Sequence, residues 1–260
     1  MTRETLIEET AGGVALLTLN RPKQRNAFNN QMYDELRDAL CDAQENDAVR
    51  VVVLTGAPGA FSGGQDLGEM AHPPAAEPGE HGFGPFMDRL CQFDKPLLAA
   101  VNGVGVGIGL TLLLHCDIVY IAEGARLRAP FVSLGVVPEA ASSHLLPSLV
   151  GHPRAAEILY TNEWIDARGA VDLGIAARVC EPRTLMPAIR AKAAEIAAQP
   201  LGALRHTRRL LLAARSDAVR AARARENETF AHRLGSAENV EAVQAFLEKR
   251  PPDFSKAGRG

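Results

Sequence analysis

The sequence predicts an α/β fold, a sheet of crossover-connected strands covered by helices, and three observations carry that reading. Continuous apolar runs of strand length recur at residues 51–55, 96–101 and 117–122, the pattern of strands buried on both faces. Stretches with helical spacing of apolar residues alternate with these runs. The chain, at 260 residues, is also long enough to bury a large core.

Taken in order, Val14-Ala15-Leu16-Leu17-Thr18-Leu19 reads as a strand ended by Asn20-Arg21-Pro22. A helix is predicted over residues 30–46, with Met32, Leu36, Ala39 and Leu40 on one face. The strand at 51–55 is bounded by Gly56-Ala57-Pro58-Gly59. Residues 71–85 are rich in Pro, Gly, Ala and Glu and predict a loop or flap. After Pro130 the chain turns helical; Asp166 is placed to cap a short helix that stops at Gly174, and 177–180 reads as a last strand. Helices broken at Pro200 and near Ser216, Gly235 and Pro251 complete the chain. The organisation expected is a βα core over 1–182 and a helical C-terminal region over 183–260.

Composition excludes several classes. Apolar residues make up 47% and charged residues 23%, and the net charge is −3, so there is no overall attraction to nucleic acid or to an anionic membrane. Cys41, Cys91, Cys116 and Cys180 lie far apart, which is neither a zinc framework nor a disulfide scaffold and suits a reducing compartment. The polar opening Met1-Thr2-Arg3-Glu4-Thr5 does not read as a signal peptide. The apolar stretch at 97–122 is interrupted by Asn102, several glycines, His115 and Asp117, which argues against a membrane span. The expectation is a cytoplasmic protein with no metal.

Two glycine-rich turns stand out. Phe61-Ser62-Gly63-Gly64-Gln65-Asp66-Leu67 and Val101-Asn102-Gly103-Val104-Gly105-Val106-Gly107-Ile108-Gly109-Leu110 each follow a strand and precede a helix. Such turns bring bare backbone N–H groups to a ligand, at a helix end that favours negative charge. Two converging turns could hold one oxyanion between two N–H groups. Close helix–strand packing is the competing reading of the same glycines. The spacing fails Gly-x-Gly-x-x-Gly, and no Gly-x-x-x-x-Gly-Lys-[Ser/Thr] occurs.

Asn20-Arg21-Pro22-Lys23-Gln24-Arg25-Asn26-Ala27-Phe28, the two glycine turns, Cys116-Asp117-Ile118, Leu134-Gly135-Val136-Val137-Pro138 and Ala245-Phe246-Leu247-Glu248-Lys249-Arg250 together resemble the crotonase (enoyl-CoA hydratase/isomerase) superfamily. The resemblance runs from about residue 14 to 254. It implies the crotonase (ClpP-like) spiral of repeated β-β-α units, with a helical C-terminal region for oligomerisation and closure of the CoA pocket. It also implies a homotrimer or dimer of trimers, and an acyl- or enoyl-CoA thioester as substrate, coenzyme A being part of that substrate and no separate cofactor being needed. By the same resemblance the oxyanion donors are the backbone N–H groups of Gln65 and Ile108, flanked by Gly64, Asp66 and Gly107. Lys23 and Lys249 match positions where relatives contact the CoA, with Phe246 beside the pocket and Lys249 reaching in from a neighbouring subunit; a solvated helix end is the other reading of Lys249. Gly68 stands where many relatives carry Lys.

Hydration of an enoyl thioester uses two positioned carboxylates. The positions that carry them in hydratases of the family read here as Thr111 and Phe131. Thr111 could hold a water, but neither side chain is a base. One acid remains, Glu139 in Gly135-Val136-Val137-Pro138-Glu139-Ala140-Ala141-Ser142-Ser143, which resembles the pattern of peroxisomal-type Δ3,Δ2-enoyl-CoA isomerases. Its apolar neighbours would raise its pKa toward that of a base working near neutrality; a surface acid at a helix start is the alternative. The leading expectation is an isomerase with Glu139 as proton shuttle. A hydratase using a Thr111-held water, and a silent acyl-CoA binder on the same scaffold, are the rivals. His115-Cys116-Asp117 reads as packing, Ser142-Ser143-His144 is no triad, and the Arg-rich stretch 205–225 reads as a solvated or subunit-contact helix face.

Overall fold

The computed structural model describes residues 3–71 and 81–255. Most of the loop expected at 71–85 therefore lies outside the described residues.

A hairpin of β1 (Leu6–Ala11) and β2 (Val14–Leu19) opens the chain, with Leu6 opposite Leu19 and Ala11 opposite Val14. A 3-10 turn at Pro22–Gln24 leads to α1 (Asn30–Glu45). The Asn29 side chain accepts the Met32 N–H at 3.0 Å and so satisfies one orphan donor of the first turn. Met32, Tyr33, Leu36, Ala39 and Leu40 form the buried face of α1. Next come β3 (Val51–Gly56), buried throughout, α2 (Leu67–Ala71), α3 (Phe83–Gln92) and β4 (Leu97–Val101). Phe83, Gly84 and Pro85, expected in a loop, instead open α3, because Phe86, Met87 and Leu90 give this helix an apolar face to bury.

The second glycine turn carries β5 (Gly105–Val106) and α4 (Ile108–Thr111), which runs into a 3-10 turn at Leu112–His115. Then follow β6 (Ile118–Ala122), β7 (Arg126–Arg128), a 3-10 turn at Val132–Leu134, α5 (Ser142–Val150), α6 (His152–Thr161), β8 (Ile165–Asp166), α7 (Ala167–Asp172) and β9 (Arg178–Cys180). Asp166 caps α7 through Gly169 N–H at 2.7 Å. The last four helices are α8 (Pro182–Ala197), α9 (Leu201–Ala213), α10 (Ser216–Arg233) and α11 (Ala237–Leu247).

The large sheet has the order β1-β2-β3-β4-β6-β9, parallel everywhere beyond the first hairpin. A small sheet, β5-β7-β8, stands apart from it. Parallel strands need crossovers, and each crossover here delivers a loop to the same end of the sheet as the glycine turns. Helix α8 packs across β2, β3, β4 and β6 and shares the sheet's core, whereas α10 packs on α5 and α11 on the 132–134 turn.

Two cations, Lys95 and Arg208, are buried in the fold. Lys95 is fully buried, and its ammonium donates to Ala43, Asn46 and Val49 carbonyls at 2.7, 2.9 and 2.8 Å, closing the C-terminal end of α1, where a cation is favoured. The Arg-rich stretch is not one solvated face. It is split between α9 and α10, and Arg208 is buried, donating to Asp117 Oδ2 at 2.7 Å while that same oxygen accepts Leu97 N–H. Desolvating a guanidinium requires such a partner, and Asp117, at the start of β6, supplies it.

Candidate active site

The Asn-Arg-Pro motif builds the first turn. Asn26 is fully buried; its Oδ1 accepts Arg21 N–H at 3.0 Å and its Nδ2 donates to Ala57 and Ala60 carbonyls at 2.9 and 2.8 Å. Arg21 in turn pairs with Asp66 at 2.9 Å. Phe28 bridges to the turn on both sides of Gln65, donating to Gly64 O at 2.7 Å and accepting Asp66 N–H at 2.8 Å. In such a parallel bridge the intervening N–H points the other way, so the Gln65 N–H has no acceptor among the described residues.

The second turn is laid against the first. Ser62 bridges to Gly105, and Val106 N–H donates to Ser62 O at 3.0 Å. A Cβ on Gly64 would stand 2.8 Å from Val106 O, and Gly64 has φ +96°, so this crossing of two backbones requires glycine. Gly107 N–H donates to Arg128 O at 2.9 Å, and Gly107 O accepts the N–H groups of Leu110 and Thr111. Ile108, the first residue of α4, keeps its N–H outside the helical ladder. Nothing stands within 4 Å of the place a Gly107 Cβ would occupy, so the space over this turn is open. The geometry offers two unsatisfied backbone donors from adjoining turns, the arrangement that holds an oxyanion.

Glu139 lies in the segment that enters α5. Its Oε1 accepts the Thr111 hydroxyl at 2.6 Å, and its enclosed Oε2 has no hydrogen-bond partner among the described residues. Burial pushes this carboxyl up to about 8; the Thr111 hydrogen bond works against that rise and the nearby Glu226 charge adds to it. A carboxyl group with that pKa can take up and release a proton near neutral pH. Thr111 thus faces the acid itself.

A sequence profile of the enoyl-CoA hydratase/isomerase family matches residues 9–257. The chain belongs to the enoyl-CoA hydratase/isomerase family. Relatives include the 1,2-epoxyphenylacetyl-CoA isomerase of Escherichia coli K12, 32% identical over 97% of this chain and 98% of that protein. The 2,3-dehydroadipyl-CoA hydratase of the same organism is 34% identical over 93% of this chain and 94% of that one. An enoyl-CoA hydratase/isomerase from Pseudoalteromonas atlantica T6c superposes with a TM-score of 0.92 at 38% identity, covering 96% of this chain and all of that one. The fold is accordingly the crotonase spiral, and the protein is an acyl-CoA enzyme of this family.

Other residues singled out from the sequence fall around this family site in different ways. Asp66 is engaged internally, by Arg21 and by Gly68 and Glu69 N–H at the start of α2. Phe131 is buried and accepts the N–H groups of Leu134 and Val136, shaping the turn that leads to Glu139. Lys23 is exposed on the turn beside Arg25, whose carbonyl accepts Gly63 N–H. Phe246 is 61% exposed and Lys249 is exposed just past the end of α11. No cluster of three or more metal-ligating side chains occurs among the described residues, and no helix among them is long and apolar enough to cross a membrane.

Sequence reasoning missed Tyr33. This fully buried residue on α1 donates its hydroxyl to Gln65 Oε1 at 2.8 Å, and burial, then the charges of Glu139 and Glu69, push its own pKa well up. It therefore stays a neutral donor beside the donor turn. It also packs at 4.9 Å from Phe28 and edge-on to Phe83 at 5.7 Å. A phenol one residue after Met32 on the apolar face of a helix was the available signal.

Proposed function

We propose that the protein is an enoyl-CoA isomerase. Glu139 removes a proton from C2 of a 3-enoyl-CoA, the C2–H electron pair moves into the thioester to form an enolate, and the N–H groups of Gln65 and Ile108 hold the enolate oxygen. The enolate collapses, the double bond moves to C2–C3, and Glu139 returns the proton to C4. No water is consumed and one carboxyl group suffices.

The observation that carries this reading is that Glu139 is the lone carboxyl at the site among the described residues without a backbone or ionic partner. Thr111, at one of the two positions where hydratases of the family keep a carboxylate, donates to Glu139 instead of serving as a second base. The other acids nearby are occupied: Glu69 accepts Asn30 N–H, and Glu226 accepts two backbone N–H groups. Conversion of 3-enoyl- to 2-enoyl-CoA by the parent protein and its Glu139→Gln variant tests the proposal. Hydration by the parent at a comparable rate would favour the hydratase reading, and thioester binding without turnover would favour a silent binder.

The same proposal includes a homotrimer or dimer of trimers with an enoyl-CoA thioester as its small-molecule partner. Leu210 and Leu211 on α9 are 74% and 64% exposed, and Phe246 and Leu247 on α11 are exposed as well; these apolar side chains would be covered by neighbouring copies, one of which would bring Lys249 to the CoA.

A further inference from the structure

We propose that Glu226, on α10, is the positioning residue for Glu139, an assignment that rests on reading Glu139 as the proton shuttle. The side chain is 5% exposed and lies in the buried stripe of α10 with Val219 and Ala222. Its Oε2 accepts Ala141 N–H at 2.6 Å and its Oε1 accepts Ser143 N–H at 2.8 Å. Helix α5 has no side-chain cap of its own, since Ala141 occupies the cap position. A carboxylate from a helix 85 residues along the chain does that work instead, at the positive end of the α5 dipole.

The geometry reaches beyond capping. Ala140 and Ala141 have φ of +58° and +59°, two consecutive left-handed residues with side chains, a conformation that persists only where surrounding contacts impose it. Glu226 grips the second of these from one side, through Ala141 N–H. On the other side His115 Nε2 meets Ala140 O at 2.8 Å. Ser142 N–H closes the bend onto Glu139 O at 3.0 Å. The Glu139 backbone is thus set by a bend that Glu226 and His115 hold between them, and its carboxyl is set by Thr111.

The titratable groups facing Glu139 are few. Tyr33 approaches from α1, with Glu69 behind it, and Glu226 from α10. His115 touches the bend from the 3-10 turn after α4, and burial pushes its pKa down to about 4, so it is neutral at working pH. Removing the Glu226 charge therefore takes away the one negative carboxylate among the described residues that disfavours Glu139 ionisation directly. The Glu139 pKa should fall.

Glu226→Gln keeps the side-chain length and loses the charge and one acceptor. The expected result is a fall in kcat for 3-enoyl to 2-enoyl conversion of about tenfold or more, since small misplacement of a reacting group is that costly, with little change in KM. The acid limb of the kcat profile should move to lower pH. Glu226→Asp keeps the charge but is too short to accept both N–H groups; it should lose kcat while its acid limb stays put. Titration of the Glu139 carboxyl by 13C NMR, with Glu139→Gln to assign the signal, needs no turnover and should show the same downward shift in Glu226→Gln. If the parent converts no enoyl thioester, the isomerase reading fails, and this titration still decides whether Glu226 acts on Glu139. Should Glu226→Gln not fold, the kcat of Glu226→Asp decides. Unchanged kcat together with an unmoved Glu139 titration, or full kcat in Glu226→Asp, would overturn the proposal.

Discussion

Thr111 donates its hydroxyl hydrogen to Glu139 Oε1 across 2.6 Å, and this bond ties the end of α4, the helix that presents the Ile108 N–H, to the carboxyl proposed as the proton carrier. The proposed oxyanion donor and the proposed base are therefore held in one frame. Because the hydroxyl donates to the ionised carboxyl, it stabilises that form and tempers the rise that burial imposes on the Glu139 pKa.

Replacing Thr111 by Val should consequently raise the Glu139 pKa above its parent value of about 8. A base must be ionised to accept a proton, so the acid limb of kcat/KM should move to higher pH and the rate at neutral pH should drop. A pH–rate profile of the variant checks this. A limb displaced downward would mean that Thr111 does not donate to Glu139.

Gly107 makes a separate prediction. It has φ +53° and ψ −118°, a conformation that favours glycine, while the space beside it is open. Gly107→Val should misplace the Ile108 N–H and intrude on the space above it. Losing one such donor lowers kcat by about 10²–10³-fold, or roughly 2.7–4 kcal/mol of barrier. Part of the effect will appear as lower thermal stability, because backbone strain of this kind costs on the order of 1–3 kcal/mol. Full turnover in the folded variant would reduce the turn to a packing feature.

Much of this architecture was legible in the sequence because burial on both faces leaves an unmistakable run of apolar residues at 51–55 and 97–101. Asp166 was legible as a cap because its side chain is the right acceptor at the right offset. The small sheet was not, since β5 and β8 are two residues long, too short for any periodicity. Glu139 could be singled out through the resemblance of its segment to the isomerase pattern, with Thr111 and Phe131 standing at the two hydratase positions. Glu226 and Arg208 could not, because each lies among charged neighbours in a helix that reads as solvent-facing; only the folded chain reveals that the N-terminus of α5 and Asp117 meet them. Lys95 carried no such signal either; only the fold closes three carbonyls around it.

The proposed assembly rests on the exposed leucines of α9 and the apolar end of α11. Sedimentation or light scattering at micromolar protein should give three or six copies. Replacing Leu210 and Leu211 by Lys should shift the population toward monomer, since charge is costly in a buried contact. A clean monomer for the parent would contradict the proposed trimer and the contribution of Lys249 from a neighbour.

The isomerase account itself turns on Glu139. Its folded pKa of about 8 lies above the ordinary carboxyl value, so the stability it contributes is fully present below that ordinary value and is lost as pH rises through about 8. Glu139→Gln cannot ionise and should flatten this part of the stability profile, confirming that the folded variant lacks the titrating group. The decisive measurement is the rate of 3-enoyl- to 2-enoyl-CoA conversion by parent and Glu139→Gln, read beside thioester affinity. The account predicts conversion by the parent, a loss of about 10⁴-fold in the variant, at the upper end for general acid–base catalysis, and retained binding. Conversion that survives in Glu139→Gln would contradict it.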